Sequence, residues 1–145
     1  MIIGRTSLAA QIPHQGAMCF WEHVRQWDEE RIVLHTSSHR QASHPLRYAQ
    51  QLHAVVLCEY AAQAMAVHGS LLAEHNHTRI AQGMLAALYD VALFVERIDM
   101  LPGVLEGHVH RMAANAVSLS YGFRMMHAEH VLATGRATVS LCPTA

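Results

Sequence analysis

The longest apolar run lies at the centre of the chain, at residues 52–72, and reads LHAVVLCEYAAQAMAVHGSLL. It is long enough for about five helical turns, and a helix that is apolar on all sides is normally buried. A membrane span has a similar length. However, Glu59, His53 and His68 argue against insertion, because ionisable groups are costly inside lipid. We therefore predict a central core helix and no membrane span.

On both sides of this run, shorter segments alternate between apolar and polar residues, which is typical of strands with one buried face. Polar or Pro-Gly turn signals at 28–30, 101–103 and 127–130 separate them. Residues 18–27 fit either a short helix or a bent strand. The predicted strands are 31–37, 84–88, 91–96, 104–112, 116–126 and 131–141.

Strands that follow one another through short turns form an antiparallel sheet. With the long helix they predict an α+β fold in which the sheet wraps around one long central helix. A single sheet leaves one edge strand and part of the helix uncovered, so we expect the chain to pair as a dimer. The length of 145 residues suits one domain, 1–145.

Composition excludes several classes of protein. The chain is 52% hydrophobic and 14% charged, which argues against disorder. A formal net charge of −1 gives no electrostatic footprint for nucleic acid. Cys19, Cys58 and Cys142 form no CxxC pair, and residues 1–10 are too weakly apolar for a signal peptide. We therefore expect a reducing, cytoplasmic location.

Three short motifs occur in a familiar order: IPH at 12–14, EYAAQ at 59–63 and DVALFVERIDMLPG at 90–103. With them the chain resembles the hotdog-fold 3-hydroxyacyl-[acyl carrier protein] dehydratases of fatty-acid synthesis. HPLR at 44–47 and the run 52–69 are similar to a divergent branch found in aryl-polyene gene clusters. The usual loop with the catalytic His is absent: Pro45 stands at the position of that His, and His44 is one residue earlier.

This resemblance implies dehydration of a 3-hydroxyacyl thioester to an enoyl thioester. The family uses a loop His as the base and a helix carboxyl from the other subunit as the acid. The acid role carries over to Glu59 and the base role approximately to His44. His53, at the start of the helix, is the second candidate for the base.

The resemblance also suggests which residues contact substrate. Ala54 occupies the family's helix-start position, where a backbone N–H polarises the thioester carbonyl. Gln63 lies one turn after Glu59 on the same helix face, where it can orient Glu59 or the substrate. Pro45, at the position of the family His, is also predicted to contact substrate. His68 is better explained as a satisfied core histidine packed against the sheet.

The reaction implies no cofactor and no metal. The histidine pairs 75/77, 108/110 and 127/130 are not completed to a tetrahedral set by a Cys or carboxylate cluster. The implied partner is an acyl carrier protein bearing a 3-hydroxyacyl chain, or acyl-coenzyme A. For an acidic carrier protein we expect a basic patch near the substrate entrance. Its candidate residues are Arg40, Arg47, Arg79 and Arg97.

Two other functions remain open from the sequence. A hotdog thioesterase would use the helix carboxylate to activate water. A non-catalytic hotdog subunit that partners an active dehydratase would explain the missing family His directly.

Overall fold

The computed structural model describes residues 19–77 and 82–142. The IPH motif at 12–14 and Arg79, both named above, lie outside the described residues. Within the described part, one long helix, α1, spans Leu57–His75 and is preceded by 3-10 turns at Ser38–Arg40 and Ala54–Val56. The strands are β1 (His23–Trp27), β2 (Arg31–Thr36), β3 (Gln82–Leu93), β4 (Leu105–Ala114), β5 (Ser118–His127) and β6 (His130–Cys142).

All six described strands form one antiparallel sheet in the order β1-β2-β4-β5-β6-β3. Strands β4, β5 and β6 follow one another as a meander, whereas β3 lies at the far edge beside β6. Helix α1 packs against β2, β4 and β5. The predicted α+β arrangement, an antiparallel sheet around one long helix, is confirmed.

Helix α1 forms the centre of the core because the sheet covers most of its surface. Leu57, Ala61, Ala64 and Leu71 are at most 2% exposed. By length and composition, residues 54–75 pass for a membrane span, but most of this run is buried inside the fold. This burial is what we expect of the core helix of a globular domain.

One stripe of α1 is left partly uncovered by the sheet. Cys58, Glu59, Ala62, Ala66 and Gly69 are half-buried, and their spacing of three or four residues puts them on one helix face. The stripe is built from small side chains except for Glu59. Part of the helix is therefore uncovered, as the sequence predicted.

The helix begins later in the chain than the sequence predicted. Residues 52 and 53 are extended: the N–H of Ile98 donates to the C=O of Leu52 at 2.9 Å, and His53 forms a β-bridge with Arg97. These backbone bonds to a distant segment replace the first helical turn. Apolar character alone does not distinguish a buried extended residue from a buried helical one.

The predicted strands 84–88 and 91–96 fall on one strand, β3, which is interrupted by irregularities and ends at Leu93. Its pairing with β6 shifts between Leu85 and Ala87 and again between Tyr89 and Ala92. Asp90, inside the second shift, has a φ of 53°. Such bulges disturb the alternation of side chains, which explains why the pattern suggested two pieces. Residues 18–27, for which the sequence allowed either a short helix or a bent strand, contain strand β1.

Candidate active site

Helix α1 begins beside the loop that follows β3. The N–H of Ala54 donates to the C=O of Glu96 at 3.0 Å, and Ala54 itself is buried. The N–H that the resemblance assigns to the substrate carbonyl is therefore engaged within the chain. The next N–H, that of Val55, has no hydrogen-bond partner in the described part of the chain, and its side chain is 60% exposed. Val55 is thus an exposed residue of the helix start whose N–H is not engaged by the described residues.

An ion pair holds this helix start in place. The Asp99 carboxylate accepts the N–H of Leu52 and the Nε–H of Arg97, both at 2.9 Å. The Arg97 guanidinium beside it keeps the pKa of Asp99 well below its usual range. Arg97, one of the predicted carrier-binding arginines, therefore has a positioning contact inside the chain.

Glu59 lies on the half-buried stripe of α1 and is oriented by Gln63. The side-chain Nε2–H of Gln63 donates to Glu59 Oε1 at 3.3 Å. Gln63 Oε1 accepts the N–H of Phe20 at 2.9 Å, and Gln63 is only 2% exposed. Because both ends of the amide are engaged, Gln63 has a fixed rotamer. It presents its donor to the carboxylate, as the spacing of four residues suggested.

His44 is buried, at 4% exposure, and both of its ring nitrogens have partners. Nδ1 accepts the N–H of Leu46 at 3.1 Å, and Nε2 lies 3.1 Å from the hydroxyl of Tyr60. A nitrogen that accepts a backbone N–H carries no proton, so the neutral ring has its proton on Nε2 and donates it to Tyr60. The ring packs against Phe20, with 4.4 Å between ring centroids.

Tyr60 connects the loop that carries His44 to helix α1. It was not among the candidate site residues named from the sequence. Its hydroxyl contacts both His44 Nε2 and Ser38 Oγ, the latter at 2.8 Å. Its backbone C=O accepts the indole N–H of Trp21 at 2.7 Å. The available signal was a lone Tyr among small apolar residues of a core helix, since a buried Tyr hydroxyl needs a hydrogen-bond partner.

Within one chain, the predicted acid and the predicted base face different directions. Successive residues of an α-helix point about 100° apart. Glu59 lies on the half-buried stripe, whereas Tyr60, the neighbour that contacts His44, is fully buried. His44 therefore packs under a different side of α1 from Glu59.

The remaining predicted residues lie in the segment that precedes α1. Pro45 and His53 are exposed, and His53 caps the 3-10 turn without a side-chain hydrogen bond to it. Arg47 donates to the carbonyls of Gln41, Gln50 and His39 at 2.8 to 3.1 Å. It therefore stabilises the loop, while Arg40 is exposed.

His68 is the satisfied core histidine that we predicted. It is fully buried; its Nε2–H donates to the C=O of Asp28 at 2.8 Å, and its Nδ1 lies 3.0 Å from the Tyr121 hydroxyl. In residues 19–77 and 82–142, no three or more His, Cys, Asp or Glu side chains are arranged to hold a metal ion.

The burial of His44 predicts a loss of stability in acid. Burial above all, and after it the charges of Arg47 and His39, lowers the pKa of His44 to about 4. An unfolded His titrates near 6.5, so the unfolded state binds more protons between these values. The stabilisation is complete above about pH 6.5 and is lost as the pH falls towards 4. We expect His44 alone to lower the free energy of unfolding by about 2 kcal/mol between pH 7 and pH 5.

Urea unfolding at both pH values, at one protein concentration, measures this change. His44→Asn is the comparison, since His39 and His68, whose pKa values are also lowered by burial, remain in both proteins. The variant should lose about 2 kcal/mol less than wild type over the same interval. Equal pH dependence of the two proteins would show that His44 titrates normally in the fold.

Comparison with known families identifies the chain. A model of the ApeP-like family, described as ApeP dehydratase, matches residues 6–144. The chain belongs to the ApeP dehydratase family. The resemblance to the dehydratases of aryl-polyene clusters is thereby confirmed. No curated protein matches the sequence of this ApeP family member.

Solved structures with the same fold include a chain of a dehydratase complex and a hypothetical thioesterase. A chain of the dehydratase heterocomplex ApeI:P from Xenorhabdus doucetiae has a TM-score of 0.82 at 18% identity, over 94% of this chain and 91% of that chain. AziG from S. sahachiroi has a TM-score of 0.62 at 16% identity, over 83% and 90%. A hypothetical thioesterase from Streptococcus pneumoniae TIGR4, solved with coenzyme A, has a TM-score of 0.61 at 11% identity, over 83% and 85%. At these identities the likeness concerns the fold, which confirms the hotdog prediction.

Proposed function

We propose that this ApeP family member takes part in the dehydration of 3-hydroxyacyl thioesters to trans-2-enoyl thioesters, and that Glu59 is its proton-transferring residue. The observation that carries this proposal is the half-buried Glu59 carboxyl, oriented by Gln63 on a stripe of α1 that the sheet leaves uncovered. A carboxyl in this place is open to a ligand yet partly shielded from water.

The reaction needs three groups. A base removes the proton from the carbon beside the thioester carbonyl, and a donor stabilises the resulting enolate oxygen. An acid then protonates the hydroxyl on the next carbon, which leaves as water while the double bond forms. Glu59 is suited to deliver that proton. The N–H of Val55, at the positive end of the helix dipole, is suited to the enolate oxygen.

The state of His44 bears on which residue acts as the base. A general base needs an accessible nitrogen lone pair, but Nδ1 of His44 accepts the Leu46 N–H and Nε2 bonds to Tyr60. We propose that His44 and Tyr60 together position the loop, and that a second subunit supplies the basic histidine opposite Glu59. His53, exposed at the start of the 3-10 turn, is the alternative base from this chain.

A second subunit has a suitable surface to bind. The edge strand β3 and the residues after it expose Tyr89, Val91, Leu93 and Phe94, each 38–61% exposed. An apolar edge strand is a ready site for strand pairing. ApeI:P, whose chain resembles this one in fold, is a dehydratase heterocomplex. By analogy we propose that a different hotdog dehydratase subunit, rather than a second copy of this chain, completes the active site.

The substrate is proposed to arrive as an acyl carrier protein thioester, with acyl-coenzyme A as the other form. Arg47 and Arg97 are engaged inside the chain. Four arginines were considered for carrier binding. Among those that lie in the described residues, Arg40 is the one that is exposed. A carrier protein would then rely on few basic contacts from this subunit.

One assay tests the proposal: a 3-hydroxyacyl thioester is incubated with this protein alone, and with it co-expressed beside a hotdog dehydratase subunit of the same organism. Enoyl product and free thiol are both followed. We expect enoyl product from the pair and none from this protein alone. Enoyl product from this protein alone that is lost in His44→Ala would overturn the two-subunit site and make His44 the base; loss in His53→Ala would identify His53. Release of free thiol would instead identify a thioesterase.

A further inference from the structure

The sheet face that points away from α1 bears a row of cationic side chains across neighbouring strands. Arg31 of β2 is paired with His110 of β4. Next to His110 comes Gly122 of β5, and next to Gly122 comes Arg136 of β6. Arg124 lies two positions along β5 and so points to the same face. Since neighbouring strands are about 4.8 Å apart, long arginine side chains from this basic row reach one common area.

Gly122 lies in the middle of this row, beneath the ring of His110. A Cβ at Gly122 would lie 2.5 Å from Cε1 and 2.8 Å from Nε2 of His110, so the imidazole lies directly over the backbone of β5. A groove of about 750 Å³ opens here, and Arg31, His108, His110 and Arg124 are among its lining residues. The groove therefore has a basic surface on this face of the sheet.

The arginines of the basic row act on His110. Burial first, and then the fields of Arg31, Arg124 and Arg136, lower the pKa of His110. Three guanidinium groups thus act on one imidazole. Within the described residues, Arg31 and Arg124 form no ion pair. Arg136 approaches Asp90 at 3.9 Å, with both side chains at least half exposed.

The carboxylates near the groove accept hydrogen bonds from groups of the same chain. Asp28, which also lines the groove, accepts the backbone N–H groups of Glu30 and Arg31, each at 2.8 Å. On the same sheet face, Glu106 accepts hydrogen bonds from His35 at 2.7 Å and from His108. The groove lining therefore contains two arginines, Arg31 and Arg124, against one carboxylate, Asp28.

We propose that this groove binds the phosphoryl group of a phosphorylated small molecule. Guanidinium groups match phosphate oxygens with paired hydrogen bonds, and several converging cations favour a dianion over a single carboxylate. Burial alternates along β2 and the first half of β4. The buried Ile32 and Val109 therefore point towards α1, whereas Arg31, His108 and His110 point away from it. The groove is therefore on the opposite face of the sheet from the helix that bears Glu59, and it is a site separate from the proposed active site.

Titration followed by ¹H–¹⁵N NMR tests this site in the full-length protein. The ligands are inorganic phosphate, pyrophosphate, coenzyme A and dephospho-coenzyme A at constant ionic strength. Coenzyme A carries a 3′-phosphate that dephospho-coenzyme A lacks. The variants are Arg31→Ala and Arg124→Ala. Arg40→Ala is the matched control, because it removes the same charge from an exposed position outside the sheet.

We expect saturable phosphate binding with shift changes centred on the amides of Gly122 and His110. Arg31→Ala and Arg124→Ala should each raise Kd by about tenfold. Arg40→Ala should leave it within about twofold, because Arg40 is exposed and does not line the groove. Tighter binding of coenzyme A than of dephospho-coenzyme A would support an organic ligand as the source of the phosphoryl group. Tightest binding of inorganic phosphate or pyrophosphate would support a free anion.

Two results would overturn the proposal. One is equal binding by wild type and Arg124→Ala, which would mean that the groove arginines do not hold the ligand. The other is a response of these amides to an acidic carrier protein but to none of the phosphates, which would make the face a protein-docking surface.

Discussion

Replacing Glu59 by Gln should lower the turnover of a 3-hydroxyacyl thioester by about 10³-fold, within the range for loss of a general acid. Gln has nearly the same shape as Glu, and its side-chain oxygen still accepts the hydrogen bond from Gln63. The variant should therefore fold normally and bind substrate with a similar KM, while kcat falls because the proton for the departing hydroxyl is missing. Steady-state kinetics of the two-subunit complex measure this effect.

Glu74→Gln is the matched control for this prediction. It makes the same change of charge on the same helix, but Glu74 is exposed near the C-terminal end, far along α1 from Glu59. Its turnover should equal that of wild type. Full activity in Glu59→Gln would remove Glu59 from the mechanism. Equal losses in both variants would indicate a general effect of charge on the assembly.

The second large effect concerns stability. Gly107→Ala should lower the free energy of unfolding by about 3 kcal/mol, the upper part of the range for overpacking a core. A Cβ there would lie 2.4 Å from Cη2 and 2.7 Å from Cζ2 of Trp21. The indole has no room to move, because Trp21 is fully buried and its N–H donates to the C=O of Tyr60 at 2.7 Å. Urea unfolding measures the loss.

The same substitution in the helix should have the opposite sign. A Cβ at Gly69 meets nothing within 4 Å, and Ala is a better helix former than Gly by up to about 1 kcal/mol. Gly69→Ala should therefore stabilise the protein by up to that amount. If the contact with Trp21 causes the loss in Gly107→Ala, adding Trp21→Phe should recover part of it. A neutral Gly107→Ala variant would contradict the close packing of the indole on β4.

Some of the candidate site is local in sequence and was predictable. Glu59 and Gln63 are four residues apart on one helix, so helical geometry alone brings their side chains together. His68 also followed from its place in an apolar helix. These features depend on helix periodicity, and they hold wherever the helix packs.

Other features depend on contacts between distant segments. The extended segment before the helix is fixed by backbone bonds to residues 96–98, which also occupy the N–H of Ala54. His44 owes its buried, hydrogen-bonded state to Tyr60, sixteen positions away. Neither contact has a signature in the local pattern of apolar and polar residues.

The sequence by itself determined the core helix, most strands of the sheet, and the carboxyl at Glu59 with its amide partner. Hydrophobic periodicity and family motifs are properties of short stretches of chain. Only the tertiary structure decided that His44 is tied to Tyr60, that Val55 presents the open N–H, and that the basic row meets over Gly122. Each of these depends on strand register or loop docking, which bring together residues far apart in the sequence.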